Sequence, residues 1–196
     1  MRKIIVMAVC GLGLALVAAP LAAQEESPRS GVWFTIGFGA GSVGVDCPDC
    51  GNLFPDRVSS LSGVLGIGWT VNSTLVLGLE GQGWVKNDDV LNRRLAALNL
   101  VALVYPSKSM GLYLKGGVGG VRVVVETPDL TNVAVGEGFG WTIGAGWDFY
   151  LSRSVALTPY VMYLGSSGTT TTLNGAGINV NLNPNMWQLG GALTIP

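Results

Sequence analysis

From residue 31 onward, apolar side chains recur at every second position. In residues 75–86, Leu75, Leu77, Leu79, Gly81, Gly83 and Val85 share one face, while Val76, Gly78, Glu80, Gln82, Trp84 and Lys86 share the other. A period of two is the signature of a β-strand. The pattern returns at 61–71, where Leu61, Leu65, Ile67 and Trp69 oppose Ser62, Gly66, Gly68 and Thr70. It returns at 139–151, with Trp141, Ile143, Trp147 and Phe149 against Gly140, Thr142, Gly144 and Asp148. The last stretch sets Trp187, Leu189 and Leu193 against Gln188, Gly190 and Thr194. Eight such segments are expected, at about 31–44, 58–71, 75–87, 95–106, 112–126, 139–151, 155–168 and 180–195. Short turns at 72–74, 107–110 and 152–154 alternate with longer polar loops at 46–57, 87–94, 128–137 and 169–179.

These lengths fit a particular architecture. A strand of about 11 residues, rising about 3.3 Å per residue and tilted about 45°, covers roughly 25 Å, the height of the apolar band of an outer-membrane barrel. Backbone groups facing lipid must all be paired, so strands can span a bilayer only as a closed sheet. The expected fold is all-β: an eight-stranded antiparallel transmembrane β-barrel in up-and-down meander order. Large residues such as Trp69, Trp141, Trp147, Phe149 and Trp187 fall on the expected outer face, and Gly, Ser, Ala and Thr on the inner one. A soluble barrel would show the reverse. Trp33 and Trp84 break this sorting and are read as facing the lumen or sitting near a bulge.

Composition narrows the function. Charged residues make up 12% of the 196-residue chain, against about 25% in ordinary soluble domains, and glycine reaches 30 residues. The formal net charge is -1 and no run of Lys or Arg is present, so nothing suggests nucleic acid as a partner. Histidine is absent, which removes the Ser-His and Cys-His nucleophile arrangements and the commonest metal ligand. Residues 1–23 read as a signal peptide: Arg2 and Lys3, then an apolar core, then small residues ending at Ala23. The rival reading is an uncleaved anchor, against which Pro20 and the small residues weigh. Residues 24–30 then form a periplasmic N-terminal segment before the barrel at 31–196.

With a signal peptide, eight strands and a final apolar strand, the sequence resembles the small outer-membrane β-barrel proteins, the OmpX type and the membrane domain of the OmpA type. The residues that carry the likeness include Leu112, Tyr113, Leu114, Lys115, Gly116 and Gly117, and Trp187, Gln188, Leu189, Gly190 and Gly191. The resemblance implies a Gram-negative outer membrane with both termini periplasmic, surrounding lipid, and the barrel-insertion machinery as a partner during assembly. It also implies a terminal aromatic, from which the chain departs by ending Leu193, Thr194, Ile195, Pro196. The lipid-modifying enzymes of the family rely on a histidine missing here. The expectation is therefore a non-enzymatic, monomeric barrel with a filled lumen, structural or engaged in surface interactions. The alternative is a passive route for small or apolar molecules, as in the OmpW type. No cofactor is implied and no extracellular ligand is named.

Few residues invite chemistry. Cys47 and Cys50 flank Pro48 and Asp49 in the first long loop. In an exported protein they are expected to form a disulfide, with a metal site or a redox pair as alternatives. The glycine-rich run at 37–41 lacks the helix and Gly-Lys-Ser/Thr of a phosphate loop and reads as barrel glycine. Asp88 and Asp89 read as a solvated acidic pair, and residues 169–175 as a hairpin. Glu80, Lys115 and Asp148 fall on the inner face as a lumen charge cluster, with Lys115 and Asp148 expected to pair because both lie near the same ends of neighbouring strands.

Overall fold

The alternating segments become strands because each, on its own, leaves a row of unpaired backbone groups that only neighbouring strands satisfy. The computed structural model describes residues 29–46, 57–89, 91–129, 133–174, 176–178 and 183–195. Its strands are β1 (Gly31–Asp46), β2 (Val58–Asn72), β3 (Leu75–Asn87), β4 (Asn92–Val104), β5 (Leu112–Glu126), β6 (Val133–Trp147), β7 (Phe149–Ser152), β8 (Val155–Leu173), β9 (Ala176–Ile178) and β10 (Asn183–Ile195). Strands β1 to β6, β8 and β10 are the eight staves, each antiparallel to its neighbours. The ring closes where β1 meets β10, in a register running from Phe34 opposite Ile195 to Asp46 opposite Asn183. Closure leaves no open edge among the staves.

The two faces sort as the alternation requires. Phe38, Leu61, Leu65, Trp69, Leu100, Trp187 and Leu189 are exposed on the outside. Trp141 packs on Tyr163 and Tyr163 on Trp187, with ring centroids 5.3 and 4.8 Å apart. Trp33 and Trp84 are each 2% exposed and point inward. The inward glycines let facing backbones approach: a Cβ on Gly119 would collide with the Leu98 carbonyl oxygen.

The short turns lie at one end of the barrel and the long loops at the other; we call these the turn end and the loop end. At the turn end, Asn72 accepts hydrogen bonds on Oδ1 from the Thr74 backbone N–H, at 2.9 Å, and from its hydroxyl, at 2.8 Å. A short polar side chain bonding the backbone two residues on is a turn-forming device.

Four strand boundaries differ from the sequence expectation. The segment expected as one strand at 139–151 is interrupted at Asp148, so β7 is separate and, among the described residues, pairs with β8. Strand β6 begins at Val133 and β8 continues to Leu173, both inside stretches read as loop. The threonines at 169–172 are polar but β-branched, and once a partner strand is alongside, that shape favours a strand over a loop. The expected hairpin after residue 169 is present, with Thr171 to Leu173 pairing Ile178 to Ala176 and Asn174 at φ 48°. Strand β4 occupies Asn92–Val104, shifted toward the loop end of the expected 95–106.

Candidate functional site

Among the described residues the lumen gathers most of the buried polar side chains, and its layers can be read strand by strand. On β3 the inward positions run Val76, Gly78, Glu80, Gln82, Trp84; on β4, Leu95, Ala97, Asn99, Val101, Leu103; on β5, Tyr113, Lys115, Gly117, Gly119, Val121. Polar residues thus lie between apolar ones on all three strands. Trp33, Val76, Val101, Leu103, Tyr105 and Tyr113 form one apolar cluster toward the turn end. Val43, Trp84, Leu95, Ala97, Val121, Leu164 and Met186 form another toward the loop end. Val64, Tyr160, Met162 and Ala192 pack together on the opposite wall.

Between the two end clusters sits an ion pair. Lys115 Nζ lies 2.7 and 2.8 Å from the two carboxylate oxygens of Glu80 and 3.7 Å from the Met162 sulfur. Glu80 is 1% exposed and Lys115 6%. Gln82 donates from Nε2 to Glu80 Oε1 at 3.0 Å and to Thr142 Oγ1 at 3.2 Å, and Thr142 donates to the Tyr163 carbonyl at 3.2 Å. These bonds matter because a buried charge is tolerated only when its remaining hydrogen-bonding capacity is met.

Asp148 belongs to a second network nearer the turn end. It accepts hydrogen bonds from the Tyr105 hydroxyl at 2.9 Å and the Thr158 hydroxyl at 2.7 Å. Thr158 Oγ1 is also 2.9 Å from Thr194 Oγ1, which is 3.1 Å from Thr35 Oγ1. The expected Lys115–Asp148 pair is therefore not what the structure contains. Leu112 faces Trp147, and the Asp148 N–H bonds to the Gly111 carbonyl, so Asp148 lies level with Gly111. That is four positions from Lys115 toward the turn end, whereas Glu80, opposite Asn99 and so level with Gly119, is four positions away toward the loop end, and the lysine stem leans that way. The long lysine stem instead reaches over β4 to Glu80.

Arg29, a residue the sequence did not single out, closes the turn end. Its guanidinium lies 3.7 Å from the centre of the Tyr105 ring. It donates to the Tyr150 hydroxyl at 3.0 Å, the Ser73 carbonyl at 3.3 Å and the Met110 carbonyl at 2.7 Å. One fork-shaped cation thus ties the β2–β3 turn, the β4–β5 turn and β7 together. The available signal was its position, as the last cation before the first strand. Tyr105 and Thr158 were likewise not singled out, and Gln82 and Thr142 only as inner-face positions, because alternation gives a side chain's face but not its partner.

Cys47 and Cys50 lie outside the described residues. Among the described residues no group of three or more Cys, Asp or Glu side chains is placed to hold a metal ion.

No family model matches the chain, and no curated protein matches it. Solved structures do. Neisserial surface protein A is 12% identical, with a TM-score of 0.55 over 83% of this chain and 96% of that one. Ail, the attachment invasion locus protein of Yersinia pestis, is 10% identical, with a TM-score of 0.52 over 85% of this chain and 99% of that one. The same protein in complex with the heparin analogue sucrose octasulfate gives a TM-score of 0.50 at 10% identity over the same shares. At such identities the likeness speaks to the path of the backbone, and together with the closed ring of eight staves it establishes that this chain has the fold of the small eight-stranded outer-membrane β-barrels.

Proposed function

We propose that the chain is a non-enzymatic barrel spanning the outer membrane, with a sealed lumen and a structural or surface-interaction role. The observation that carries this reading is the layering of the interior: a buried Glu80–Lys115 pair held between two apolar clusters. A conducting pore needs a continuous wetted path, and two dry clusters oppose one. The oily outer face suits lipid, where a water-exposed surface of this kind would drive association.

In the same reading residues 1–23 are removed on export, both termini sit on the periplasmic side with the short turns, and the long loops face outward. The barrel is inserted by the assembly machinery and acts as a monomer. Cys47 and Cys50 form a disulfide in the first of those loops; thiol reagents should fail to label the unreduced protein.

The deciding measurement is conductance of the refolded protein in planar bilayers. A sealed barrel passes no current, and steady single-channel openings would overturn the reading. The second reading, a passive route for small molecules, draws on buried polar atoms that lack a protein partner, including both amide atoms of Asn99 and the side-chain oxygens of Gln82 and Gln188. These are places for water within the wall. Liposome swelling with small solutes tests that reading directly.

A further inference from the structure

On the outside of the barrel, at the loop-end rim of the oily wall, lies a groove of about 480 Å³ across β4, β5 and β6, lined by Ala96, Leu98, Gly120, Arg122, Glu137 and Gly138. Ala96 faces Arg122, and Arg122 faces Glu137. The surrounding wall is built from large side chains, among them Leu98, Leu100, Val118 and Phe139, all exposed. The dent comes from Ala96 and Gly120, while Gly138 adds backbone to its lining, since a Cβ there would be turned toward the buried Thr169. Gly120 is not small for lack of room, since a Cβ there would meet nothing within 4 Å. A glycine inside a strand weakens it, and one explanation for its presence is close approach of a ligand. The register of β6 against β8 shifts between Glu137 and Phe139, a bulge beside the groove.

The charges at the rim of this groove have a direction. Among the described residues of the strands, Arg94 and Arg122 are the cations on the outward face; Lys86, Arg93 and Lys115 occupy inward positions. Arg94 and Arg122 are diagonal neighbours, since Arg94 faces Val124 and Ala96 faces Arg122. Such neighbours are within about 8 Å. Each has an acidic partner: Arg94 Nη2 lies 2.8 Å from Glu126, and Arg122 Nε lies 3.3 Å from Glu137. The Arg94, Arg122 and Glu137 side chains are 58%, 60% and 62% exposed, whereas Glu126 is 11% exposed. Two guanidinium groups therefore face outward beside one exposed carboxylate, and with Glu126 the four side chains carry no net charge until a pair opens. Exposed ion pairs are weak and leave a guanidinium open to a better acceptor.

We infer that this groove is a docking site for a phosphorylated membrane lipid, with its phosphate at Arg94 and Arg122 and an acyl chain along Ala96, Leu98 and Gly120. The inference rests on the outer wall facing lipid. The two outward guanidinium groups select the head: a phosphate can take them from their exposed carboxylate pairs, and interfacial basic side chains attract anionic lipid. The groove, opening onto an oily wall, selects an acyl chain over a soluble anion.

The test is native mass spectrometry of the full-length protein, released from nanodiscs doped with either dioleoyl phosphatidic acid or dioleoylglycerol. The phosphate-bearing lipid should stay bound and the phosphate-free one should not. Replacing Arg94→Gln and Arg122→Gln should lower retention by about fivefold for each guanidinium removed. Gly120→Leu fills the groove without touching a charge and should also lower retention. Equal retention of the two lipids, or unchanged retention in both variants, would overturn the site. Failure of the protein to enter nanodiscs would instead strike the membrane-spanning reading on which the site depends. Normal insertion without phosphate selectivity would strike the site alone.

Discussion

Lys115 on β5 and Glu80 on β3 form an ion pair over the intervening strand β4, with both carboxylate oxygens within 2.8 Å of the ammonium. Next-nearest strands lie about 10 Å apart, a gap that a long lysine stem and a glutamate on the same inward face can bridge. The pair therefore acts as a brace inside a ring whose strands already hold one another by backbone hydrogen bonds.

Removing one end of the brace leaves a buried charge without its partner, which typically costs about 3 to 5 kcal/mol. Lys115→Met should lower the urea unfolding midpoint of the refolded barrel accordingly. The double change Lys115→Met with Glu80→Leu should recover much of the loss, since neither charge then remains. A double variant no more stable than the single one would show that packing, not charge, dominates there.

Arg29 gives a different test, because its role is geometric. Arg29→Ala loses three hydrogen bonds and a cation–π contact worth about 2 kcal/mol when shielded from water. Backbone amides near Ser73, Met110 and Tyr150 should exchange hydrogen faster, while those near Trp84 should not change. Arg29→Lys should rescue only in part, since a single ammonium cannot reproduce the fork that serves three acceptors.

Adjacent glycines on β5 should respond in opposite ways. Gly119 faces inward against the Leu98 carbonyl, and Gly120 faces outward into open space. Gly119→Val should abolish the heat-sensitive mobility shift of the folded barrel on gels, whereas Gly120→Val should keep it. Similar behaviour of the two variants would contradict the register of β4 against β5.

Emptying the lumen is the complementary experiment to measuring its conductance. Trp84 belongs to the loop-end cluster and Tyr105 to the turn-end cluster. Either truncation to Ala alone should leave the protein non-conducting, because the other seal remains. Both together should produce current in planar bilayers.

The number of staves, their order and the face of each side chain were legible in the sequence, because all three follow from a period of two and the spacing of turns. Trp33 and Trp84 show how far that logic reaches: their positions in the alternation sent them inward despite their size. The pairing of Lys115 was not legible. Choosing between Asp148 and Glu80 needs the stagger of one strand against the next, and alternation is blind to shifts of two residues. The interruption at Asp148 was hidden for a related reason, since the residue keeps its inward parity while the ladder breaks around it. Arg29 lies outside any strand, where periodicity gives no information.

The seam between β1 and β10 has a consequence for how the molecule comes into being. Its first rung joins residues 34 and 195, so nearly the whole chain separates two partners that must meet. Loops of that length are slow to close, and pairings between distant segments are late events in folding. Until they meet, β1 and β10 are two sticky borders on an oily ribbon. If the chain is exported, as proposed above, it has to be kept from its own neighbours during transit, and its topology then creates a demand for an escort before there is any barrel to protect.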